Sequence, residues 1–370
     1  MPLTRSLSAR MLPVPRAPAP SLRFCGATLW LIITLLRRRF PGGFMAQILS
    51  ARRASQAALP IIDMAGLWSS RPSARKGVGR RLRDACIDTG FFYIANHGIP
   101  AGLIEAVVAE AKGFFDQPVD IKRQVDKSRS ACHRGYDAFR EQVLEAGTPP
   151  DLKEGFYVGL DLPEDDPRVR AGKFNHGPNL WPADLPSFRP TMAAYLAAMR
   201  EVGARLLQGL ALSLGLPEDH FVPFCRDPMV TLRLLHYPPQ PADAAPGEKG
   251  AGAHTDWDAL TILLQDDVGG LQIYDRRVGW VHADPVPGTF VVNLGDMLAR
   301  WTNDLYRSTV HRVINASNRE RYSVPFFLGG NPDQIVEALP GCIGPDNPPR
   351  DPPTTAEGHL REMFQRSYGG

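Results

Sequence analysis

Two histidines and one aspartate define the chemistry this chain can offer. His254, Thr255 and Asp256 are consecutive, and His311 follows 55 residues after Asp256. Residues i and i+2 of a strand face the same side, so His254 and Asp256 are expected to point into one site. A histidine from a second strand then completes one face of an octahedron. Two imidazoles and a carboxylate leave three neighbouring positions open, the 2-His-1-carboxylate arrangement of non-haem iron(II). The open positions matter because O2 and a bidentate cosubstrate must both reach the metal. Alone the trio is weak evidence, since many histidines are simply buried and hydrogen-bonded.

Arg321-Tyr322-Ser323 begins ten residues after His311, on the next expected strand. Arg321 and Ser323 share one face. A guanidinium fork beside a hydroxyl suits bidentate recognition of a carboxylate. A dicarboxylate can chelate a metal at one end and pair with Arg321 at the other. A structural salt bridge is the plain alternative for Arg321. Tyr237, in the run LRLLHYPP at 232–239, can place a phenol near the same pocket; a core aromatic at a strand end reads it equally well.

Other elements must position these groups. Residues 59–63 (LPIID) read as a short strand opening the folded part. Residues 75–89 carry apolar positions near a helical period, with Gly90 as the stop. Residues 91–95 form a buried strand turned by 96–98, and 103–115 form a second amphipathic helix. Residues 116–190 are rich in Pro, Gly and Asp and are expected to be long loops over the core, a common place for substrate-lid elements. In 190–214, Met192, Tyr195, Met199, Leu206, Leu210 and Leu214 recur at three- and four-residue steps, the stripe of a helix backing a sheet. After Pro228, short apolar runs alternate with turns at 229–237, 259–265, 270–274, 280–284, 289–293, 308–315 and 321–328. Short strands at such spacing indicate a β sandwich or barrel. Residues 331–370 return to helix and loop.

Composition removes several classes. The 370 residues are 44% apolar and 22% charged, which excludes a wholly disordered or fibrous chain. There is no run of 18 apolar residues, so no stable membrane insertion is expected. Five cysteines at 25, 86, 132, 225 and 342 make no CxxC pair and no disulfide framework. A reducing, cytoplasmic setting follows. The net charge of +3 is uneven: the first 44 residues hold seven Arg and no acid, leaving 35 basic against 39 acidic residues beyond them. An acidic body offers no footing for nucleic acid. The 1–57 extension is expected to be disordered or a start-site artefact. Its apolar run at 26–36 is too short to span a bilayer and is followed by three arginines instead of a cleavage site. Translation from Met45 is one reading; the others are a transit segment in 1–44, and with it an organellar location, or a membrane-surface segment.

The ordered set of stretches resembles the Fe(II)/2-oxoglutarate-dependent dioxygenases of the isopenicillin N synthase-like group. It comprises 59–63, 90–100 (GFFYIANHGIP), 232–239, 253–261 (AHTDWDALT), 263–270 (LLQDDVGG), 292–296 (VNLGD), 308–315 (STVHRVIN) and 321–327 (RYSVPFF). The resemblance implies a mainly β fold with α, a double-stranded β-helix (jelly roll) core with a helical N-terminal region packed against it. It divides the chain into an α/β region at 58–190, a backing helix and linker at 191–227, the β-helix at 228–335 and a tail at 336–370. It implies that His254, Asp256 and His311 hold Fe(II). Arg321 and Ser323 would hold the distal carboxylate of 2-oxoglutarate, and Tyr237 would contact cosubstrate or substrate. O2 is the oxidant and ascorbate is expected to support activity. The implied reaction couples oxidative decarboxylation of 2-oxoglutarate to hydroxylation, desaturation or cyclisation of a small organic molecule. Rival readings are an ethylene- and succinate-forming enzyme, a 2-oxoglutarate-independent oxidase and a non-catalytic metal-binding protein. Two positions depart from the group's pattern: Asp258, where Gly is usual, and Leu235, where many plant members carry Asn. His97 reads as a turn-stabilising group and the pair Asp266-Asp267 as a solvated turn. No pattern specifies the substrate or an oligomeric state.

Overall fold

The computed structural model describes residues 52–53, 59–240 and 247–368. The expectations for residues 1–44 lie outside the described residues. From the extension only Arg52–Arg53 (β1) is described. The other strands are Ile61–Asp63 (β2), Phe91–Ala95 (β3), Gly135–Asp137 (β4), Glu154–Val158 (β5) and Met229–Tyr237 (β6). Next come Ala251–His254 (β7), Leu260–Gln265 (β8), Leu271–Asp275 (β9), Gly279–His282 (β10) and Phe290–Leu294 (β11). His311–Val313 (β12) and Arg321–Gly330 (β13) complete the barrel strands, and Ile335–Val336 (β14) pairs with Thr354–Thr355 (β15). The principal helices are Pro72–Asp88 (α1), Ala101–Phe115 (α2), Phe188–Ser213 (α3), Asp296–Trp301 (α4) and Ala356–Tyr368 (α5).

Two sheets carry the architecture. One has eight strands in the order β2-β3-β11-β8-β13-β6-β5-β4, the other five in the order β1-β10-β9-β12-β7. This is the expected jelly-roll core with helices against it. Every strand run anticipated after Pro228 is present. The expectation of loops throughout 116–190 is corrected: β4 and β5 lie inside it and add two strands to the edge of the main sheet. Thus the N-terminal region supplies four strands, β2 to β5, to the same sheet as β6, β8, β11 and β13.

Strand alternation sorts side chains between two environments. On β6, Leu232 and Leu234 enter the main core, and on β13 so do Val324, Phe326 and Leu328. Their neighbours Arg233, Leu235, Tyr237, Arg321, Ser323 and Phe327 face a cavity between the sheets. The helices α1, α2 and α3 cover the core face with a stripe including Leu82, Phe114, Met199 and Leu206, all buried. At about 25 cal/mol per Å² of buried apolar area, this continuous layer is the main force holding the sheet in place.

The turn after α1 is tightly constrained. Gly90 has φ +69°, and a Cβ there would overlap the Arg307 carbonyl oxygen. Gly90→Ala is therefore expected to cost at least about 2 kcal/mol, combining a left-handed backbone with a steric clash. Gly113, inside α2 with nothing within 4 Å of an added Cβ, is the opposite case. Gly113→Ala should stabilise by roughly 0.5–1 kcal/mol. Thermal unfolding of both variants checks the pair, and a Gly90→Ala protein as stable as wild type would refute the constraint.

Candidate active site

Strand pairing brings the two distant histidines together. β12 runs antiparallel to β7, with His311 directly opposite His254 and Val313 opposite Ala251. Two steps along β12 thus oppose three along β7, a bulge-like irregularity of the kind that re-aims side chains beside active sites. The imidazole centroids are 4.4 Å apart. Asp256 is not on the strand: β7 ends at His254, which corrects the expectation of an i, i+2 pair on one strand. The chain turns after His254, and Asp256 reaches the histidines from that turn. Its Oδ1 lies 3.7 Å from both His254 Nε2 and His311 Nε2. The three donor atoms all fall within 4.8 Å of one another, the only such metal-sized cluster among the described residues.

Outer contacts fix which atom each residue presents. His254 Nδ1 lies 2.7 Å from the Gly252 carbonyl and His311 Nδ1 3.1 Å from the Thr309 carbonyl. A proton donated from each Nδ1 leaves both Nε2 lone pairs aimed at the cluster, as metal-ligating imidazoles require. Thr261 Oγ1 at 2.5 Å and Asn293 Nδ2 at 2.7 Å donate to Asp256 Oδ2, so Oδ1 is the oxygen left for a metal. Burial, then the neighbouring His311, pushes His254 well below the usual imidazole range, which keeps it neutral. Burial alone would raise Asp256, but the two imidazoles, Asn293 and Thr261 outweigh it and hold the carboxylate ionised. Neutral imidazoles and an ionised carboxylate are the ligand forms.

The stretch 292–296 locks the turn. The Asp296 and Met297 amides donate to the carbonyls of Asp256 and Trp257, at 2.8 and 3.2 Å. Gly295 permits this approach, because a Cβ there would overlap the Asp258 carbonyl oxygen. Sequence reasoning matched this stretch but missed Asn293, Thr261 and Gly295 as supports. Asp258 itself packs beside Gly329, and burial followed by the Asp256 charge pushes it up to about 7.

Arg321, Ser323 and Tyr237 meet in the same cavity. Arg321 is fully buried. Its Nε donates to the Gly269 carbonyl, Nη1 to Ser323 Oγ at 3.0 Å and Nη2 to Gln265 Oε1 at 3.1 Å. Tyr237 is its cross-strand partner, with the guanidinium carbon 4.7 Å from the phenol ring centroid. Among the described residues no carboxylate lies within ion-pair distance of Arg321. A fully buried, uncompensated guanidinium is costly. The arrangement is that of a site awaiting an anion, and a dicarboxylate reaching from the histidine cluster fits it. Leu235 faces the cavity between these groups with no polar atom to offer. Lys153 and Arg233 line it too and escaped the sequence reading. The signal for Arg233 was its parity with Tyr237 on β6. Other expectations divide. His97 Nδ1 accepts the Ile99 amide at 3.2 Å and serves its turn. Asp267 is exposed, but Asp266 turns inward to accept the Tyr322 and Val268 amides, correcting the solvated-turn reading.

Two family models match the chain. Residues 59–184 match the non-haem dioxygenase in morphine synthesis N-terminal model, and residues 222–330 match the 2OG-Fe(II) oxygenase superfamily model. The chain belongs to the 2OG-Fe(II) oxygenase superfamily, within its isopenicillin N synthase-like branch. It is a non-haem Fe(II)- and 2-oxoglutarate-dependent dioxygenase acting on small organic molecules. It is 43% identical over 315 residues to a 2-oxoglutarate-Fe(II) type oxidoreductase of Emericella nidulans, covering 84% of this chain and 90% of that one. A crystal structure of a 2OG-Fe(II) oxygenase family protein from Caulobacter crescentus is similar at 34% identity and TM-score 0.74, over 84% of this chain and 99% of that one. A Neurospora crassa protein crystallised in complex with alpha-KG is similar at 29% identity and TM-score 0.75, over 86% of this chain and 100% of that one. Among the described residues no helix is long and apolar enough to cross a membrane.

A charged network braces the pocket wall from behind. Glu154 of β5 accepts from Lys122 Nζ at 2.7 Å, Tyr136 Oη at 2.5 Å and His236 Nδ1 at 2.8 Å, all buried. The His236 ring stacks on Tyr322, 4.8 Å between centroids, which ties the network to β13 beside Arg321. Burial would raise Glu154, but its three donors outweigh it and hold it below the ordinary 4.5. Its stabilisation is therefore full above that value and lost as pH falls through the lowered one. Glu154→Gln should cost about 3 kcal/mol or more at neutral pH, because Lys122 stays buried without its counter-charge. Urea unfolding should show the gap to wild type shrinking as the pH falls below the ordinary carboxylate range, and a gap that does not move with pH counts against the network.

Proposed function

We propose that His254 Nε2, His311 Nε2 and Asp256 Oδ1 hold the Fe(II), and that Arg321, Ser323 and Tyr237 hold the 2-oxoglutarate. The observation that carries this reading is the fully buried Arg321, unmatched by any described carboxylate and facing the same cavity as the three donor atoms. Bound iron and cosubstrate supply the oxidising chemistry, turning 2-oxoglutarate and O2 into succinate, CO2 and an oxidised substrate. The protein's own groups do the rest. Arg321 pairs with the distal carboxylate, with the Ser323 hydroxyl beside it, and so sets the reach of the cosubstrate from the metal. The Gly252 and Thr309 carbonyls fix the imidazole tautomers, while Asn293 and Thr261 hold one aspartate oxygen away from the metal. Phe91, Leu144, Leu271, Val313 and Phe327 make the remaining wall apolar and keep water from the reacting centre.

The substrate is read as a free small molecule, hydroxylated, desaturated or cyclised. The acidic body supports this over a base within a nucleic acid. The similar Neurospora crassa protein has also been crystallised with alpha-KG and thymine, a small ring compound. Succinate formation with Fe(II), 2-oxoglutarate, ascorbate and O2 is the test. His311→Ala should abolish it, and full activity in that variant would sink the ligand assignment. Arg321→Ala should raise the 2-oxoglutarate KM on the order of tenfold or more, since it removes charge-assisted hydrogen bonds. Asn293→Ala should weaken iron binding roughly 10- to 100-fold, the usual effect of losing a group that orients a ligand. Ethylene in the headspace with no added substrate would point instead to breakdown of 2-oxoglutarate itself.

A further inference from the structure

The wall that faces the substrate carries two buried cations that neither the metal trio nor the cosubstrate anchor uses. Lys153 and Arg233 are 3% and 8% exposed, and both line the cavity. Register puts Arg233 on its inner face, since Tyr157 pairs with Arg233 and Gly155 with Leu235, the same parity as Tyr237, and Lys153 lines the cavity just before β5. Lys153 Nζ pairs with Asp151, whose other oxygen accepts the Gly252 amide at 2.8 Å. Arg233 Nη2 reaches Gln142 Oε1 at 2.7 Å and Asp137 Oδ2 at 3.3 Å. Asp137 is shared, because Lys127 Nζ holds its Oδ1 at 2.6 Å.

Iron and cosubstrate use neither of these two cations; each keeps its aspartate partner and can take a further anion from the cavity side. On the site reading above, Fe(II) is balanced by Asp256 and the metal-bound carboxylate of 2-oxoglutarate, and Arg321 by the distal one. Arg233 lies four residues along β6 from Tyr237, the cross-strand partner of Arg321, so the second cationic group stands apart from the first. Its guanidinium carbon lies 4.5 Å from the Tyr157 ring centroid. The neighbouring wall, Leu144, Leu263, Val313 and Phe327, is apolar. An anion seated there gains charge-assisted hydrogen bonds in a medium that screens them little, while an uncharged ligand gains only the apolar contact.

We propose that the substrate is a small carboxylic acid with an apolar body, its carboxylate held by Lys153 and Arg233 while the body lies toward the iron. The inference rests on the site assignment above and adds the substrate class. Burial pushes Lys153 down to about 8 even with Asp151 beside it.

The test is anaerobic calorimetric titration of the full chain loaded with Fe(II) and 2-oxoglutarate. The probes are benzoate, phenylacetate and 3-phenylpropionate, each against its carboxamide. At least one acid should bind about tenfold or more tighter than its amide, as a charge-assisted contact in a dry pocket implies. Arg233→Met and Lys153→Met should erase that preference by weakening the acid, with the amide held within about threefold of wild type, well under the tenfold step of one charged contact. Arg233→Lys, which keeps the charge, should retain most of the preference and so separates a lost charge from a damaged fold. Equal affinity for acid and amide, binding of neither, or a preference untouched in both Met variants overturns the inference. Failure of wild-type protein to bind 2-oxoglutarate in the preliminary loading titration would overturn the site assignment instead.

Discussion

The structure of the site depends on one cross-strand pair, His254 opposite His311. Strand side chains alternate, so a slip of one residue between β7 and β12 would turn one imidazole out of the cavity. The register shift beside Gly252 fixes that pairing locally, and the same residue's carbonyl holds the His254 tautomer. Asp256 then needs no strand. It is delivered by a turn whose carbonyls are stitched to the start of α4 and whose carboxylate is oriented by β8 and β11. The three donors thus come from two pieces of chain, the 254–256 stretch and β12, with the imidazoles held by backbone carbonyls and the carboxylate by two side chains. A site built this way is rigid before any ligand arrives, which is what metal and cosubstrate positioning requires.

Rigidity also explains how the fold tolerates its buried charges. Arg321 sits fully desolvated among neutral acceptors, a poor arrangement for stability in isolation. Ligand binding to the native state recovers that loss in proportion to RT ln(1 + [L]/Kd). The Glu154 cluster is the opposite design. Its charges are internally matched, it faces away from the cavity and it fastens β5, β6 and, through Tyr322, β13. Matched charge turned away from the cavity serves the scaffold, and the unmatched charge of Arg321, facing the cavity, is where we place the cosubstrate.

The sequence disclosed most of what repeats and little of what converges. Most strands after Pro228 were legible because short apolar runs bounded by turn residues mark them locally; β7 was not, since Ala251, Gly252 and Ala253 make no such run. The stripe of α3 was legible from its apolar positions at period 3.6. β4 and β5 were not, because Gly135, Glu154 and Gly155 break any apolar run, and only pairing with β6 makes them strands. The trio and Arg321 with Ser323 stood out through residue type and spacing. The placement of Asp256 on a turn did not, since two residues of separation look the same in a strand and in the turn that leaves it. The supports Asn293 and Thr261 lie 37 and 5 residues from Asp256, and nothing local ties them to it. Contacts of that kind belong to the tertiary structure alone.

Parity along β6 and β13 explains how one pair of strands can serve three purposes. Residues 232, 234, 324, 326 and 328 build the core that holds the sheet. Their odd-numbered neighbours build the cavity, with Tyr237, Arg321 and Ser323 at one end and Arg233 and Phe327 toward the other. Changes at the second set alter the shape and charge seen by a substrate while the core face and the donor trio stay as they are. Functional variety can therefore arise on this scaffold without new backbone, because the pleat already insulates packing from chemistry. The limit is distance along the strand: Arg233 is two inward positions from Tyr237, so a substitution that shifts the backbone at one would be felt at the cosubstrate anchor. On the proposed assignments, selectivity and cosubstrate affinity are mechanically adjacent even though different residues carry them.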